Sequence, residues 1–219
     1  FMAAFAVLLS RYSRQTDLVL GTSIAHRDDA DTQALIGFFV NMLVMRIDAS
    51  GDPTFRQLLG RVKDVVLDGF ENSDVPYETL VERLQPARDA SRNPLFQVAF
   101  TMLNAPWPDL ELGEVSVRPL GNQTAARFDL EVLMHEGPEG MGGIFVYNTA
   151  LFTAGTMARL TRHFNTLLAA VVANPDLPLS AIPLLEPEEA KALVASVPRS
   201  VPVNDCIHER FAEAAAAHG

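Results

Sequence analysis

The sequence predicts an α/β fold, an α+β sandwich in which a mixed β-sheet is flanked by helices. Helical and strand patterns alternate along 219 residues, of which 48% are hydrophobic. Runs of apolar and β-branched residues at 17–25, 36–47 and 95–102 are typical of strands. Two more strand patterns, at 128–134 and 143–148, flank a glycine-rich turn and predict a hairpin. The length allows one large or two small domains.

A helix is predicted at the start of the chain, over residues 1–12. This stretch is apolar, but it lacks the basic start and the small-residue cleavage site of a signal peptide. The turn that follows the first strand holds Asp28, Asp29 and Asp31. A solvated turn is the default interpretation, and a cation site is the alternative, for which no second cluster of oxygen ligands is present at a suitable spacing.

Asn41 stands inside the almost entirely apolar run at 36–47. A buried amide must be hydrogen-bonded or lie at a cavity, which makes Asn41 a candidate functional residue. The dipeptide Asp52-Pro53 predicts the N-terminus of the next helix, in which apolar residues repeat at helical spacing as far as Phe70.

A polar loop bracketed by Pro86 and Pro94 precedes the strand at 95–102. It carries Arg88, Arg92 and Asn93 to the end of a strand that we expect to be covered on both faces. Loops in this location often carry function. The alternative is that the charged residues are solvated and that the neutral polar residues only cap a turn.

The second half contains a long excursion at 104–123, the hairpin, and a helix that Thr153 can cap. Repeated prolines then predict a linker at 174–205 with a short helix at 188–195. A new helix starts at 206. Both ends of the sequence lie within elements, so we expect it to be a piece of a longer protein.

The composition excludes several classes of function. Acidic residues outnumber basic ones by 27 to 17 and no basic cluster occurs, so a nucleic-acid partner is not expected. No run of about 18 apolar residues is present, so no membrane span is predicted. The single Cys206 excludes an internal disulfide and favours a reducing compartment, which we expect to be the cytoplasm. No metal site is predicted.

Five motifs follow one another along the chain: LGTSIAHR at 20–27, IGFFVNM at 36–42, NSDVPYE at 72–78, RDASRNPL at 88–95 and CIHERF at 206–211. With them, the chain resembles the C-terminal lobe of a condensation domain from a nonribosomal peptide synthetase, followed by the linker toward an adenylation domain. The family's versions of the first four motifs are usually read as GTPVAGR, IGxFVNT, HQDVPFE and RDxSRNPL. The sequence departs from these patterns at Met42, Asn72-Ser73 and Tyr77. The change at Asn72 could alter contacts in the channel that such a domain forms for its substrates.

The resemblance implies a lobe similar to chloramphenicol acetyltransferase. Two such lobes form a V, and the phosphopantetheine arms of two carrier proteins enter the tunnel between them from opposite sides. We therefore expect residues 1–173 to be the C-terminal lobe, 174–205 the linker from the condensation to the adenylation domain, and 206–219 the start of the adenylation domain. No cofactor is expected to bind directly.

The activity that the resemblance implies is condensation. The amine of an acceptor aminoacyl thioester attacks a donor acyl or peptidyl thioester, and an amide forms. The family's catalytic histidine lies in an HHxxxDG motif of the N-terminal lobe, which this sequence does not contain. None of its five histidines matches that motif: His26, His135, His163, His208 and His218. We expect the parent protein to be an enzyme of secondary metabolism such as antibiotic biosynthesis, and this chain alone to be inactive.

The resemblance also implies site residues and partners. Arg27 is the candidate for a structural salt bridge to the aspartate of HHxxxDG, and the 104–123 excursion is the candidate for the segment that crosses to the other lobe. The residues expected to organise or line the tunnel are Arg27, Asn41, Asp74, Tyr77, Arg88, Ser91, Arg92 and Asn93. Expected partners are the N-terminal lobe, donor and acceptor carrier proteins, and the adenylation domain.

Two other interpretations stay open. The first is a non-condensing member of the same superfamily, such as an epimerisation domain or a domain that recruits partner proteins. The second is an unrelated α/β binding module. The residues that precede the chain would separate condensation from recruitment, because an intact HHxxxDG motif predicts condensation and a degraded one predicts recruitment.

Overall fold

The structure, a computed structural model, describes residues 1–27, 30–33, 35–87, 89, 91–103, 125–137, 140–196 and 206–218. Predictions about Arg88, Asp28, Asp29 and the 104–123 excursion lie outside these residues. The chain divides into two compact units, Phe1–Leu184 and Leu185–Gly219.

The first unit contains a five-stranded sheet with the order β2-β1-β3-β4-β5. The strands are β1 (Asp17–Ile24), β2 (Asn41–Asp48), β3 (Val98–Leu103), β4 (Leu130–Gly137) and β5 (Gly140–Tyr147). β1 pairs with β2, and β4 with β5, in antiparallel fashion, whereas β3 is parallel to both β1 and β4. The sheet is therefore mixed, as predicted.

Helices cover one face of this sheet. They are α1 (Met2–Ser13), α3 (Phe55–Glu71) and α5 (Ala154–Ala173), and the shorter helices α2 (Ala30–Gln33) and α4 (Tyr77–Leu84) lie in connections. Phe5, Leu58 and Leu167 of the long helices share one hydrophobic core with Leu20 and Val132 of the sheet. Because successive strand residues point to opposite faces, the intervening residues belong to the other face.

That other face carries one row of residues in register across four strands: Gly21, Ala99, Glu131 and Val146. All four are buried, although none belongs to the helix-covered core. The sheet is thus covered on both faces here, as predicted for β3.

Two predicted strands start later than expected. Residues 36–40 lie outside β2, and Ile36 and Phe38 are almost fully exposed, so this part of the strand prediction was wrong. An apolar run has no alternation that would separate strand from exposed loop. β3 begins at Val98 because Pro94 has no N–H to donate and Leu95 takes a positive φ of 67°.

The prediction that α3 begins at Asp52-Pro53 was also wrong. Thr54 is the N-cap, and its side chain and that of Gln57 form a reciprocal capping box. Asp52 instead takes a positive φ of 48°, and its carboxylate accepts hydrogen bonds from the backbone N–H and the hydroxyl of Ser180. The predicted cap at Thr153 of α5 is confirmed, since its hydroxyl accepts from the N–H of Thr156.

The start of the predicted linker at 174–205 packs within the first unit. The Phe55 N–H donates to the Leu177 carbonyl and the Leu179 N–H donates to the Pro53 carbonyl. A 3-10 turn follows at Leu179–Ala181, and Leu179 and Ile182 are buried in the core. These hydrogen bonds and buried side chains therefore attach the first part of the predicted linker to the first unit.

The second unit contains α6 (Pro187–Ser196) and α7 (Ile207–His218). The bounds of α6 agree with the short helix predicted at 188–195, and α7 starts one residue after the predicted position. Lys191 and Glu188 form an exposed ion pair one turn apart on α6, with 2.7 Å between Nζ and Oε1.

Candidate functional site

Asn41, the first residue of β2, joins two of the sequence motifs. Its Nδ2 donates to the carbonyls of Ser73 and Val75, both at 2.9 Å. Its Oδ1 accepts from its neighbour Met42 N–H at 2.9 Å and from Tyr77 N–H at 3.1 Å. The hydrogen-bonding groups of the side chain are therefore engaged with backbone, and Asn41 fixes the loop that leads into α4.

Tyr77, the first residue of α4, extends this connection to the RDASRNPL loop. Its hydroxyl donates to the Pro94 carbonyl at 2.5 Å. Burial of the ring, with the neighbouring Glu78 carboxylate as a smaller cause, raises the pKa of Tyr77 above its usual value of 10.0. The phenol therefore stays protonated near neutral pH and remains a donor to this loop.

Ser91 and Asp89 form a local turn within the loop. The Asp89 Oδ1 accepts from the Ser91 hydroxyl at 2.6 Å and from the Ser91 N–H at 2.9 Å. These bonds, with the nearby Arg92 charge, hold the pKa of Asp89 below its usual value of 3.8. The Arg92 Nε lies 3.8 Å from Asp89 Oδ2, and both side chains are largely exposed. The Arg92 guanidinium is therefore a positive charge on an exposed part of this loop.

Asn93 connects the loop to the segment before β4. Its Nδ2 donates to the Arg127 carbonyl at 3.0 Å, and its own carbonyl accepts from Gln97 Nε2 at 2.9 Å. The Arg127 Nη2 in turn lies 2.6 Å from Oε1 of the buried Glu131. The sequence analysis did not identify Arg127 or Glu131. The signal that could have identified them was the presence of charged residues within and directly before the alternating strand pattern at 128–134.

Three aromatic rings, those of Tyr77, Phe96 and Phe128, pack together next to these polar contacts. Phe96 packs against Tyr77 with 5.6 Å between ring centroids and against Phe128 with 5.3 Å. The Phe96 ring also sits directly over Gly21 of β1, where a Cβ atom would lie only 2.1 Å from Phe96 Cε2. The glycine of the first motif therefore makes room for the aromatic residue that follows RDASRNPL.

Arg27 holds the exposed apolar segment at residues 35–40. Its guanidinium donates to the carbonyls of Thr32, Leu35 and Gly37, at 2.5, 2.7 and 3.2 Å. It also stacks 4.3 Å above the Phe39 ring. Arg27 therefore shapes this loop from within the chain, while its predicted salt bridge to another lobe stays a prediction.

His26, the residue before Arg27, contacts the third motif. His26 takes a positive φ of 47° at the position where the family pattern has glycine. Its Nε2 lies 3.2 Å from the Asp74 Oδ1 in the NSDVPYE motif. The pairing connects the first and third motifs through side chains.

The structure brings most of the predicted site residues into one region. Asn41 binds Tyr77, and Tyr77 binds the Pro94 carbonyl of the loop that also carries Ser91, Arg92 and Asn93. A groove of about 1200 Å³ lies between this loop and α4, lined by residues that include Glu78, Glu82 and Arg92. Arg88 lies outside the described residues.

In the described part of the chain, no group of three or more His, Cys, Asp or Glu side chains is placed to hold a metal ion. None of the helices among these residues has the length and apolar character needed to cross a bilayer.

Comparison with known proteins gives a family match over most of the chain. The family described as Condensation domain matches residues 1–194. Tyrocidine synthase 3 of Brevibacillus parabrevis is 39% identical over 218 residues, which cover 97% of this chain and 3% of that protein. Gramicidin S synthase 2 of Brevibacillus brevis is 37% identical over 218 residues, which cover 97% of this chain and 5% of that protein. The chain therefore spans only a small fraction of the length of such relatives.

Two solved structures share the fold. The four-domain nonribosomal peptide synthetase holo-AB3403, bound to AMP and glycine, has a TM-score of 0.78 at 24% identity, over 86% of this chain and 16% of that one. The X-domain from teicoplanin biosynthesis has a TM-score of 0.75 at 32% identity, over 84% of this chain and 43% of that one. The expected fold, similar to chloramphenicol acetyltransferase, is confirmed. The chain belongs to the condensation-domain family of nonribosomal peptide synthetases.

Proposed function

We propose that this chain supplies one wall of a condensation site that joins two carrier-bound substrates through an amide bond. The observation that carries the proposal is the linkage of motifs far apart in sequence: Asn41 binds Tyr77 and Tyr77 binds Pro94, which ties the second, third and fourth motifs together. A loop that carries polar residues and is held at several points suits a reaction that depends on orientation.

In the proposed reaction the amine nitrogen of the acceptor attacks the thioester carbonyl carbon of the donor. The new C–N bond forms, the C–S bond breaks, the amine loses a proton and the donor carrier leaves as a free thiol. The sequence holds no HHxxxDG motif, so the histidine of that motif would come from outside this chain. We expect the chain alone to be inactive.

The roles proposed for the residues follow from their contacts. Asn41 and Tyr77 organise the site, since their polar groups already bind backbone within the chain. Ser91 shapes the turn that presents Arg92. Arg92 is the residue proposed to face the tunnel, because its guanidinium is largely exposed, with the Asp89 carboxylate at 3.8 Å. Arg88 is proposed for the tunnel from its motif alone.

The proposal also covers partners and location. The substrates would be carried on the phosphopantetheine of donor and acceptor carrier proteins, and no cofactor would bind directly. Residues 1–173 would meet the N-terminal lobe, and 174–205 would lead to an adenylation domain that starts at 206–219. The surface that carries Arg27 would face the N-terminal lobe. We propose a cytoplasmic location, in line with the single cysteine at position 206.

A single-turnover condensation assay tests the proposal. Loaded donor and acceptor carriers are mixed either with this polypeptide or with one extended upstream to include the other lobe. Product from the extended polypeptide alone is the expected result. Product from both would show that the catalytic base lies within these residues, and product from neither would contradict condensation.

Variants of the fourth motif refine the assay. In the extended polypeptide, Arg92→Ala and Asn93→Ala are each expected to lower the single-turnover rate about tenfold or more, because orientation of the reactants is lost. Ser180→Ala, remote from the loop, serves as the control. Undiminished condensation by both loop variants would remove these two residues from the site.

Partner recruitment is the second candidate. It is favoured by the 32% identity to the X-domain from teicoplanin biosynthesis, which has also been solved in complex with OxyB. Under this proposal the same fold would bind another protein and catalyse nothing. A degraded HHxxxDG motif upstream, together with retained binding to a partner protein but no condensation, would support recruitment.

A further inference from the structure

Glu131 on β4 is a buried carboxylate with apolar neighbours. Its side chain is 2% exposed, and its cross-strand neighbours Ala99 and Val146 offer no polar side-chain atoms. Removing a carboxylate from water is unfavourable unless a partner compensates for the lost hydration. The presence of Glu131 in the sheet therefore requires a partner.

The partner is Arg127, whose Nη2 lies 2.6 Å from Glu131 Oε1. The Arg127 side chain is 59% exposed, so the pair is one-sided: a fixed, buried acid holds a solvent-accessible cation. The other oxygen, Oε2, is buried without a hydrogen-bond partner among the residues that the structure describes. Such a pair often stabilises a fold no more than apolar residues would. The main consequence of this ion pair is therefore the position that it gives to Arg127, rather than a gain in stability.

The backbone around Arg127 is bound to the RDASRNPL loop. The Arg127 carbonyl accepts from Asn93 Nδ2 at 3.0 Å, and the Asp129 N–H donates to the Gln97 carbonyl at 3.0 Å. Gln97 Nε2 returns to the Asn93 carbonyl at 2.9 Å. Asn93 is thus bound by a segment that is attached in two ways, through Phe128 to the Phe96 ring and through Arg127 to Glu131 of the sheet.

We propose that Glu131 and Arg127 form a positioning pair that sets the location of Asn93 and the loop around it. Neither is a catalytic residue. Glu131 acts through Arg127, and Arg127 acts through its carbonyl. The effect on reaction rate rests on the proposed function, whereas the effect on the loop does not.

The test uses the intact synthetase with Arg127→Ala, Glu131→Gln and the double variant. Arg127→Ala keeps the carbonyl that Asn93 binds but leaves the buried Glu131 carboxylate without its cation, whereas the double variant removes both charges and is expected to fold. Amide hydrogen exchange over residues 92–97 should accelerate about tenfold, with exchange in β1 unchanged. The condensation rate should fall about tenfold while the apparent KM for the acceptor carrier changes less than about twofold.

Coupling between the two residues is the second readout. Because they act as one unit, the double variant should be no slower than either single variant. Arg127→Lys, which keeps the charge, should recover part of the rate. Asp17→Asn is the matched control, since it removes a 2.7 Å ion pair to Arg46 elsewhere on the same sheet. It should leave both exchange at 92–97 and rate unchanged.

Three results would overturn the proposal: unchanged exchange at 92–97 in Arg127→Ala, an equal increase of exchange in β1, or additive losses in the double variant. If either single variant does not fold, the double variant, which leaves no buried unpaired charge, decides through the exchange readout. Absence of amide product from the wild-type synthetase would contradict the proposed function, while hydrogen exchange would still decide whether the pair positions the loop.

Discussion

At the scale of single residues, Asn41 ties the start of β2 to the loop at 73–77. Both of its polar atoms bind twice, and the partners come from its own strand and from that loop. An amide offers two donors and an acceptor in one rigid plane, which neither a carboxylate nor a hydroxyl can reproduce.

We expect Asn41→Ala to lower the free energy of unfolding by about 2 kcal/mol, because several hydrogen bonds of about 0.5 to 1.5 kcal/mol each are lost. Urea unfolding measures the change. Asn72→Ala is the matched control, since Asn72 is exposed and its side chain donates to the Asp68 carbonyl of its own helix. Equal effects of the two substitutions would contradict the central role of Asn41.

Residue types alone made Asn41 a candidate, since an amide in an apolar run needs an explanation. They could not identify its partners in the loop at 73–77, which lie more than 30 positions further along the chain. The same limit applies to Glu131. A charged residue in an alternating strand is usually solvent-facing, and only the sheet register places Glu131 between Ala99 and Val146.

At the scale of elements, the close packing of β1 against the segment before β3 decides where the loop lies. Gly21 leaves a space on the sheet that the Phe96 ring occupies, and Tyr77 and Phe128 flank that ring. The loop is therefore fixed by an aromatic contact on one side and by hydrogen bonds on the other.

We expect Gly21→Ala to destabilise the domain by about 2 kcal/mol, since overpacking of a filled site typically costs about 1 to 3 kcal/mol. Combining it with Phe96→Leu should recover part of the loss, because the smaller side chain makes room for the new methyl group. Thermal unfolding of the single and double variants measures this coupling.

Gly60→Ala is the control for the loss of a glycine. Gly60 lies on α3, where an added methyl group would have open space within 4 Å, so alanine should be neutral or stabilise the helix. A Gly21→Ala variant as stable as Gly60→Ala would show that Phe96 does not fill this space in solution.

Helix and strand positions were largely predictable, because periodicity and caps are local signals. Thr153 and α6 were located correctly, and both strands of the hairpin were found within a few residues. The errors fell at 36–40, where Arg27 binds the Gly37 carbonyl, at 95–97, which precede β3, and at Asp52, whose carboxylate binds the distant Ser180.

At the scale of the whole molecule, the exposed apolar segment at 35–40 is unusual for a protein surface. Ile36 and Phe38 are 104% and 90% exposed, and both lie on the loop that Arg27 holds in place. Under the proposed function this surface would meet the N-terminal lobe. Contiguous apolar surface of this kind promotes association when it is left uncovered.

We therefore expect the 219-residue chain to self-associate in solution, with an average mass that rises with concentration. Replacing Ile36 and Phe38 by Ser should shift the chain toward monomer. Sedimentation velocity measures the distribution. Val172→Ser, which changes another exposed apolar residue on α5, is the control and should leave association as it is. A monomeric wild-type chain would contradict the expectation.

The sequence by itself determined the fold class, the family and the order of the motifs, because these depend on local periodicity and on residue patterns that are contiguous in the chain. Tertiary structure alone decided which residues share the site. Asn41 with Tyr77, Phe96 with Gly21, and Asn93 with Arg127 meet only after the chain has folded. The physical reason is that a hydrogen bond or a ring contact depends on distance in space, which residue spacing in the sequence does not specify.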